Sequence, residues 1–279
     1  MRIFVLGNGM RPGVPAEAER LLPLLREHCE IAAVDLTQQL DLNRYEADVA
    51  LVLGGDGSIL RAGRQMGYRQ VPVLGINLGK LGFLADLSLE EACNCLPRLI
   101  RGEFGVTRHL MYECVVKSQD SSRTFLGLNE IVVRSGPPFH LIDVELGIDG
   151  EQVATFSGDG VIVSTPVGST AQSLSAGGPI LRQDLQAFVI TPFCPHTLTY
   201  RPLVDSADRL YTLRVRHSRD GATLIVDGQE SIDLTLHDQL TVRRAPVQFQ
   251  LIKIRGKSYY QTLRDKLHWG SPPGYRHEH

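Results

Sequence analysis

DVALVLGGDGSIL, residues 48–60, decides the fold of this chain. Residues 49–53 are continuously apolar, as in a strand buried on both faces of a parallel sheet. The run ends abruptly in Gly54-Gly55-Asp56-Gly57 and restarts as a helix, so it reads as strand, phosphate loop and helix start. Such a loop lies at the carboxyl edge of the sheet, where open α/β sheets bind ligands. Three glycines let the backbone turn sharply and approach an anion, Ser58 is placed to cap the helix, and a helix N-terminus favours negative charge. The spacing is neither that of the P-loop nor GxGxxG. Asp56 is the one carboxylate among these glycines, and it reads either as a turn former or as a reacting group.

Working outward, 279 residues suffice for two hydrophobic cores, and 43% hydrophobic with 22% charged residues is ordinary for a soluble globular protein. A net charge of -2 carries no basic footprint, so nucleic acid is not expected as a partner. No window approaches the ~20 apolar residues of a membrane span, and the first ten residues lack a leader pattern, so no membrane association and a cytoplasmic location are expected. Cys29, Cys93, Cys95, Cys114 and Cys194 form no CxxC pair and read as reduced thiols. Cys93 and Cys95 lie two apart in a helical segment and would point to different sides, a poor metal pair. No metal site built by the protein is expected.

In order, residues 2–6, 31–35, 48–53 and 71–77 read as strands, alternating with helices over 16–28, 58–66 and 89–100. This predicts a small doubly wound, Rossmann-like α/β domain. Gly7-Asn8-Gly9 reads as a turn, and residues 77–84, NLGKLGFL, form a second glycine-rich loop in which Lys80 is placed to steer phosphate. After Gly102 the pattern becomes short runs rich in Val, Ile and Thr, separated by Asp-Gly turns at 149–150, 220–221 and 227–228. The expected organisation is an α/β domain over 1–105, an all-β, sandwich-like domain over 106–255, a helix over 256–269 returning to the first domain, and a loose tail over 270–279.

Inside the β-rich part, GDGVIVSTPVGSTAQSLSAGGPI at 158–180 runs from a strand into a loop crowded with hydroxyls and glycines. Small polar side chains and exposed backbone groups suit the hydrogen bonding of a sugar, an amide or a base edge. Asn129-Glu130 sits between two strand-like runs. It either faces water as a strand-end pair or is buried with partners, since burial without them would cost several kcal/mol.

Taken together, GGDGS at 54–58, NLGKLGFLAD at 77–86, NE at 129–130, the 158–180 motif, ITPFCPHTLTYRPLV at 190–204 and DGQ at 227–229 resemble the NAD kinase family, in order and spacing, over residues 1–268. GGDG alone would also suit lipid kinases of the diacylglycerol and sphingosine type, against which the STPVGSTA and PHTL stretches speak. A non-catalytic NAD-binding regulator is a third reading, and the presence of Asp56 speaks against it. The resemblance implies transfer of the γ-phosphoryl group of ATP, or of polyphosphate, to the 2′-hydroxyl of the adenosine ribose of NAD.

It also implies Asp56 as proton acceptor, with Gly54, Gly55, Gly57 and Arg61 beside the ligand. Asn129 and Glu130 correspond to the pair on adenine and ribose, His140 to a further contact, and Asp159 to a residue near the nicotinamide end. Thr170, Ala171, Gln172, Ser173 and Ser175 correspond to the loop around the adenine, and Cys194 and Gln229 complete the set. NAD and ATP are the implied substrates, with Mg²⁺ arriving on the nucleotide, and a homo-oligomer, a tetramer, is the implied assembly. Three departures bear on affinity: Ser157, Val167 and Gln172 stand where relatives often carry a basic residue, Thr and Tyr.

Overall fold

A computed structural model describes residues 1–79, 82–85, 87–254 and 258–270. The chain forms two compact units: residues 1–65, 71–107 and 250 onward make the first, and 66–70 with 108–249 the second.

The first unit holds β1 (Arg2–Gly7), α1 (Val14–Arg26), β2 (Glu30–Asp35), β3 (Val49–Leu53), α2 (Asp56–Gln65), β4 (Val73–Ile76) and α3 (Leu89–Ile100). The strands pair in parallel in the order β4, β3, β1, β2. All five residues of β3 are buried, as a strand covered on both faces requires. Alternate residues Val49, Leu51 and Leu53 face α1 and α3, packing with Leu21, Leu25, Leu96 and Leu99. On the other face, a Cβ added to Gly75 would meet Cδ1 of Ile59 at 2.5 Å, so glycine lets α2 lie close against the sheet. Helices on both faces make this a doubly wound α/β unit.

The second unit is built from β5 (Gly105–Lys117), β6 (Ser122–Gly127), β7 (Glu130–Ser135), β8 (Ile142–Ile148), β9 (Glu151–Ser164), the short α4 (Gln172–Ser175), β10 (Ala187–Pro195), β11 (Leu203–Ser206), β12 (Tyr211–Ser218), β13 (Ala222–Val226), β14 (Glu230–Leu234) and β15 (Gln239–Lys253). Its pairings are antiparallel, in the order β14, β13, β7, β9, β8, β12, β15, with β10 also on β9 and β11 on β10. The alternating strands bury Ile131, Val133, Val144, Leu146, Phe188, Tyr211, Leu213 and Leu224 in one core. Turns that need positive φ take Asp149-Gly150 and Asp227-Gly228, both pairs in the left-handed region.

The chain then returns to the first unit with α5 (Tyr259–Leu267), capped by the Ser258 hydroxyl accepting from the Gln261 N–H and buried through Leu263. The fold is thus an α/β unit followed by a β-rich unit. Lys80 and nearly all of the 270–279 tail lie outside the described residues.

Candidate active site

The loop after β3 differs from its sequence reading in one respect. The helix begins at Asp56 itself, two residues early, so Ser58 lies buried within the first turn and not at the cap. Gly54 has φ +132° and a Cβ there would meet the Ser58 hydroxyl at 2.4 Å, so only glycine makes this turn. Gly55 faces open space and Gly57 is exposed.

Asp56 is not left to the turn. Its Oδ1 accepts the backbone N–H of Leu84 at 2.9 Å and of Ala85 at 3.1 Å, and its Oδ2 that of Phe83 at 2.8 Å. The second glycine-rich loop therefore builds a three-amide cradle around the carboxylate, and a Cβ on Gly82 would intrude on it. Two donors occupy Oδ1, whereas Oδ2 receives one, and a carboxylate oxygen carries two lone pairs. Oδ2 is the oxygen left able to accept another hydrogen.

Arg61, one turn further along α2 and half-buried, donates from Nη2 to the Gln38 carbonyl at 3.1 Å. The Gly7-Asn8-Gly9 segment is a turn: the Asn8 side chain accepts the Met10 N–H, and the Gly9 N–H donates to the Leu36 carbonyl at 2.7 Å.

In the β-rich unit, Glu130 is the first residue of β7 and only 4% exposed, so it does not face water as a strand end, while Asn129 is half-buried. Beneath it stands a residue that the sequence places in a turn and in the DGQ motif but to which it gives no site role. Asp227, 5% exposed, accepts the backbone N–H groups of Leu128, Asn129 and Glu130 at 3.0, 2.9 and 3.1 Å, and the Tyr112 hydroxyl at 3.0 Å. That hydroxyl also lies 2.9 Å from the Glu130 carbonyl. A positive φ, which Asp tolerates, brings the Asp227 carboxylate under these amides. Glu130 Oε2 is buried with no hydrogen-bond partner among the described residues. Burial first, and then the neighbouring Asp227 carboxylate, push the Glu130 carboxyl up to about 8, so it is a neutral acid at pH 7.

The hydroxyl-rich loop is largely turned inward. Thr165 donates to the Leu128 carbonyl, and its N–H to that of Asn129 at 2.8 Å. Ser169 donates to Pro166 at 2.7 Å, and Ser173 pairs with Thr191 at 2.9 Å and is fully buried. Thr170 donates to the Val167 carbonyl at 3.1 Å. Ala171 and Gln172 are half-buried, with Gln172 opening α4, and Ser175 is exposed. A Cβ on Gly168 would meet the Asn129 carbonyl at 2.2 Å, so the loop closes directly on the Asn129-Glu130 segment.

Elsewhere in this unit, half-buried Asp159 lies against Cys194, which has φ +45°. Burial and then the hydrogen bond to Asp159 push that thiol up. His140 is exposed and pairs through Nδ1 with Asp220, and Gln229 is exposed on the turn after Asp227. The structure gathers Asn129 and Glu130 over Asp227 and closes Thr165 and Gly168 on the Leu128-Asn129 backbone. His140, on the segment before β8, is tied instead to Asp220, on the turn between β12 and β13.

Among the described residues, no group of three or more His, Cys, Asp or Glu converges to hold a metal, and no helix is long and apolar enough to cross a membrane. All five cysteines are free thiols.

Comparison with known proteins assigns the chain. The ATP-NAD kinase N-terminal domain family matches residues 28–104 and the ATP-NAD kinase C-terminal domain family residues 128–254. An NAD kinase of Rhodopirellula baltica is 46% identical over 269 residues, covering 96% of this chain and 86% of the relative. One from Geotalea daltonii is 40% identical over 91% of this chain and 90% of its own. Among solved structures, yeast NADH kinase complexed with NADH superposes with a TM-score of 0.89 at 25% identity, covering 98% of this chain and 88% of that one. An NAD kinase from Archaeoglobus fulgidus in complex with ATP gives 0.76 at 28%, covering 96% and 99%. The GGDG loop, the NE pair and the hydroxyl-rich loop therefore sit in a chain that belongs to the NAD kinase family.

Proposed function

We propose that this NAD kinase transfers the γ-phosphoryl group of ATP, or of polyphosphate, to the 2′-hydroxyl of the adenosine ribose of NAD, with Asp56 as the proton acceptor. The observation that carries the assignment is the cradle: three amides fix the carboxylate and leave one lone pair, on Oδ2, for the substrate hydroxyl. A ribose hydroxyl is too weak an acid to ionise beforehand, so its proton leaves as attack proceeds, and a positioned carboxylate takes it. The transition state is loose, with charge spread over the transferred group, so positioning and electrostatics dominate. The positive end of α2 and the backbone N–H groups of Gly55 and Gly57 suit that charge.

Mg²⁺ enters as part of the nucleotide substrate, keeping several waters, as suits a hard cation where no cage of carboxylates converges among the described residues. Asn129 and Glu130 hold adenine and ribose, with Glu130 as a neutral acid that donates a hydrogen bond. Arg61, Gly54, His140, Asp159, Thr170, Ala171, Gln172, Ser173, Ser175, Cys194 and Gln229 complete the contacts, Ser173 through its backbone because its hydroxyl is engaged with Thr191.

Incubating the purified protein with NAD, ATP and Mg²⁺ tests this. NADP should form, and diacylglycerol or sphingosine should not be phosphorylated. Binding of NAD without turnover would instead select the non-catalytic regulator.

The assembly is a homotetramer and the compartment the cytoplasm, where free cysteines persist. Support for self-association comes from β11, which pairs with β10 and exposes Leu203 and Val204. Light scattering that returned the mass of one chain would remove the assembly from the proposal.

A further inference from the structure

Asp35 ends β2, at the carboxyl edge of the parallel sheet, and is 4% exposed. In dinucleotide-binding folds an acid near this place takes a ribose hydroxyl. Here its oxygens are already engaged. Oδ1 accepts the Thr37 N–H at 2.7 Å, the Thr37 hydroxyl at 2.6 Å and the Gln38 N–H at 2.9 Å. Oδ2 accepts the Leu40 N–H at 2.9 Å and the Gln65 side-chain amide at 2.6 Å. A carboxylate offers about four lone-pair sites, so five donors leave it no capacity for a sugar.

What this bonding does is shape the 36–40 loop. Gln38 is forced to φ +63°, a conformation rare outside glycine, and its carbonyl is thereby turned to receive Arg61 Nη2 at 3.1 Å. Gln65, four residues after Arg61 and so on the same face of α2, donates to both Asp35 Oδ2 and the Leu40 carbonyl, the latter at 2.7 Å. The loop is clipped to α2 at two points one turn apart. The Leu36 carbonyl also accepts the Gly9 N–H, tying in the turn after β1.

We infer that Asp35 is a positioning residue for the kinase reaction: by fixing the Gln38 carbonyl it sets the direction of the Arg61 guanidinium beside the GGDG loop, and through Arg61 the affinity for the dinucleotide. This rests on the reading of Arg61 as a substrate contact. Burial by itself opposes ionisation of Asp35, but Thr37, Leu40 and Gln65 outweigh it and hold the carboxyl at about 2, so the clip is fully charged wherever the enzyme works.

A double-mutant cycle tests the inference. Asp35→Ala, Arg61→Ala and the double variant are assayed for KM toward NAD and for kcat, with Asp35→Asn, whose amide N–H₂ opposes the incoming donors, used if the alanine variant fails to fold. Arg61→Ala should raise KM by about tenfold, the worth of a charge-assisted hydrogen bond. The Asp35 variant should raise KM in the same direction with kcat little changed, and the double variant should be no worse than Arg61→Ala alone. A folded Asp35 variant with unaltered KM, or effects that multiply in the double variant, would overturn the coupling and leave Asp35 a loop former. Unaltered KM in Arg61→Ala, with NADP still produced, would sink the Arg61 contact and this inference with it, while the assignment of Asp56 stood.

Discussion

A Cβ on Gly82 would stand 2.0 Å from Oδ1 of Asp56. Real Cβ atoms do not approach so closely, and the three-amide cradle leaves the carboxylate nowhere to retreat without losing hydrogen bonds. The glycine of the second loop is thus a condition for the position of the Asp56 carboxylate in the first.

Gly82→Ala should therefore act as an active-site substitution although it adds only a methyl group. Displacing the carboxylate removes the proposed proton acceptor, a role worth ~10²- to 10⁴-fold in rate. Steady-state kinetics should show kcat falling by about 10²-fold or more, beside a Gly105→Ala control whose Cβ has 3.7 Å to its nearest neighbour. Retention of wild-type kcat would mean that the cradle does not set the position of Asp56 during turnover.

Asp56→Asn removes the proposed acceptor with little change of volume, and the rate should drop by ~10²- to 10⁴-fold while NAD still binds. The fold should not be indifferent to it. The amide keeps one oxygen for Leu84 and Ala85 but turns an N–H₂ against the Phe83 N–H. A misdirected donor pair costs about 1–3 kcal/mol, which at this chain length lowers Tm by a few degrees. Calorimetric titration with NAD, a melting curve and kcat on one preparation check all three, and turnover within a few-fold of wild type would remove Asp56 from the chemistry.

Glu130 should make stability fall with rising pH. Its folded value, about 8, lies above the ordinary 4.5, so between those values the unfolded chain has lost a proton that the folded chain keeps. Its contribution is therefore complete below about pH 4.5 and declines toward pH 8, with a slope of at most ~1.4 kcal/mol per pH unit. Glu130→Gln, neutral throughout, should flatten urea-denaturation midpoints between about pH 5 and 8. Equal slopes in the two proteins would mean that Glu130 ionises normally when folded.

Gln172→Tyr should tighten NAD binding. The residue opens α4, half-buried, on the loop assigned to the adenine. An aromatic pair is worth roughly 0.5–1.5 kcal/mol beyond its buried area, so affinity should improve by a factor of about 2 to 10. Calorimetry on the two proteins decides, and unchanged or weaker affinity in a well-folded variant would place position 172 away from the base.

The elements themselves were legible in the sequence. The buried run at 49–53, the glycine break and the alternation of strand and helix give the α/β unit because hydrophobic periodicity is a local property, read within a window shorter than one element. Short Val-, Ile- and Thr-rich runs with Asp-Gly turns give the β-rich unit for the same reason. The helix start was misplaced by two residues because the propensity of Ser58 for a cap competes with Asp56, and the choice between them belongs to the turn at Gly54.

The sequence by itself determined which residue types stand at the loops: glycines where the backbone must turn, a carboxylate among them, an amide and an acid at 129–130. Only the tertiary structure decided what those carboxylates do. Asp56 is held by amides 27 to 29 residues away, and Asp227 holds amides 97 to 99 residues earlier in the chain. Asp35 organises its own loop and clips it to a helix 30 residues on. A carboxylate pairing with a distant backbone N–H leaves no mark on the distant residue, since every residue but proline carries that donor. The same residue type thus becomes a carboxylate cradled by amides beside the glycine loop, a buried hub or a loop clip according to which amides the fold brings to it.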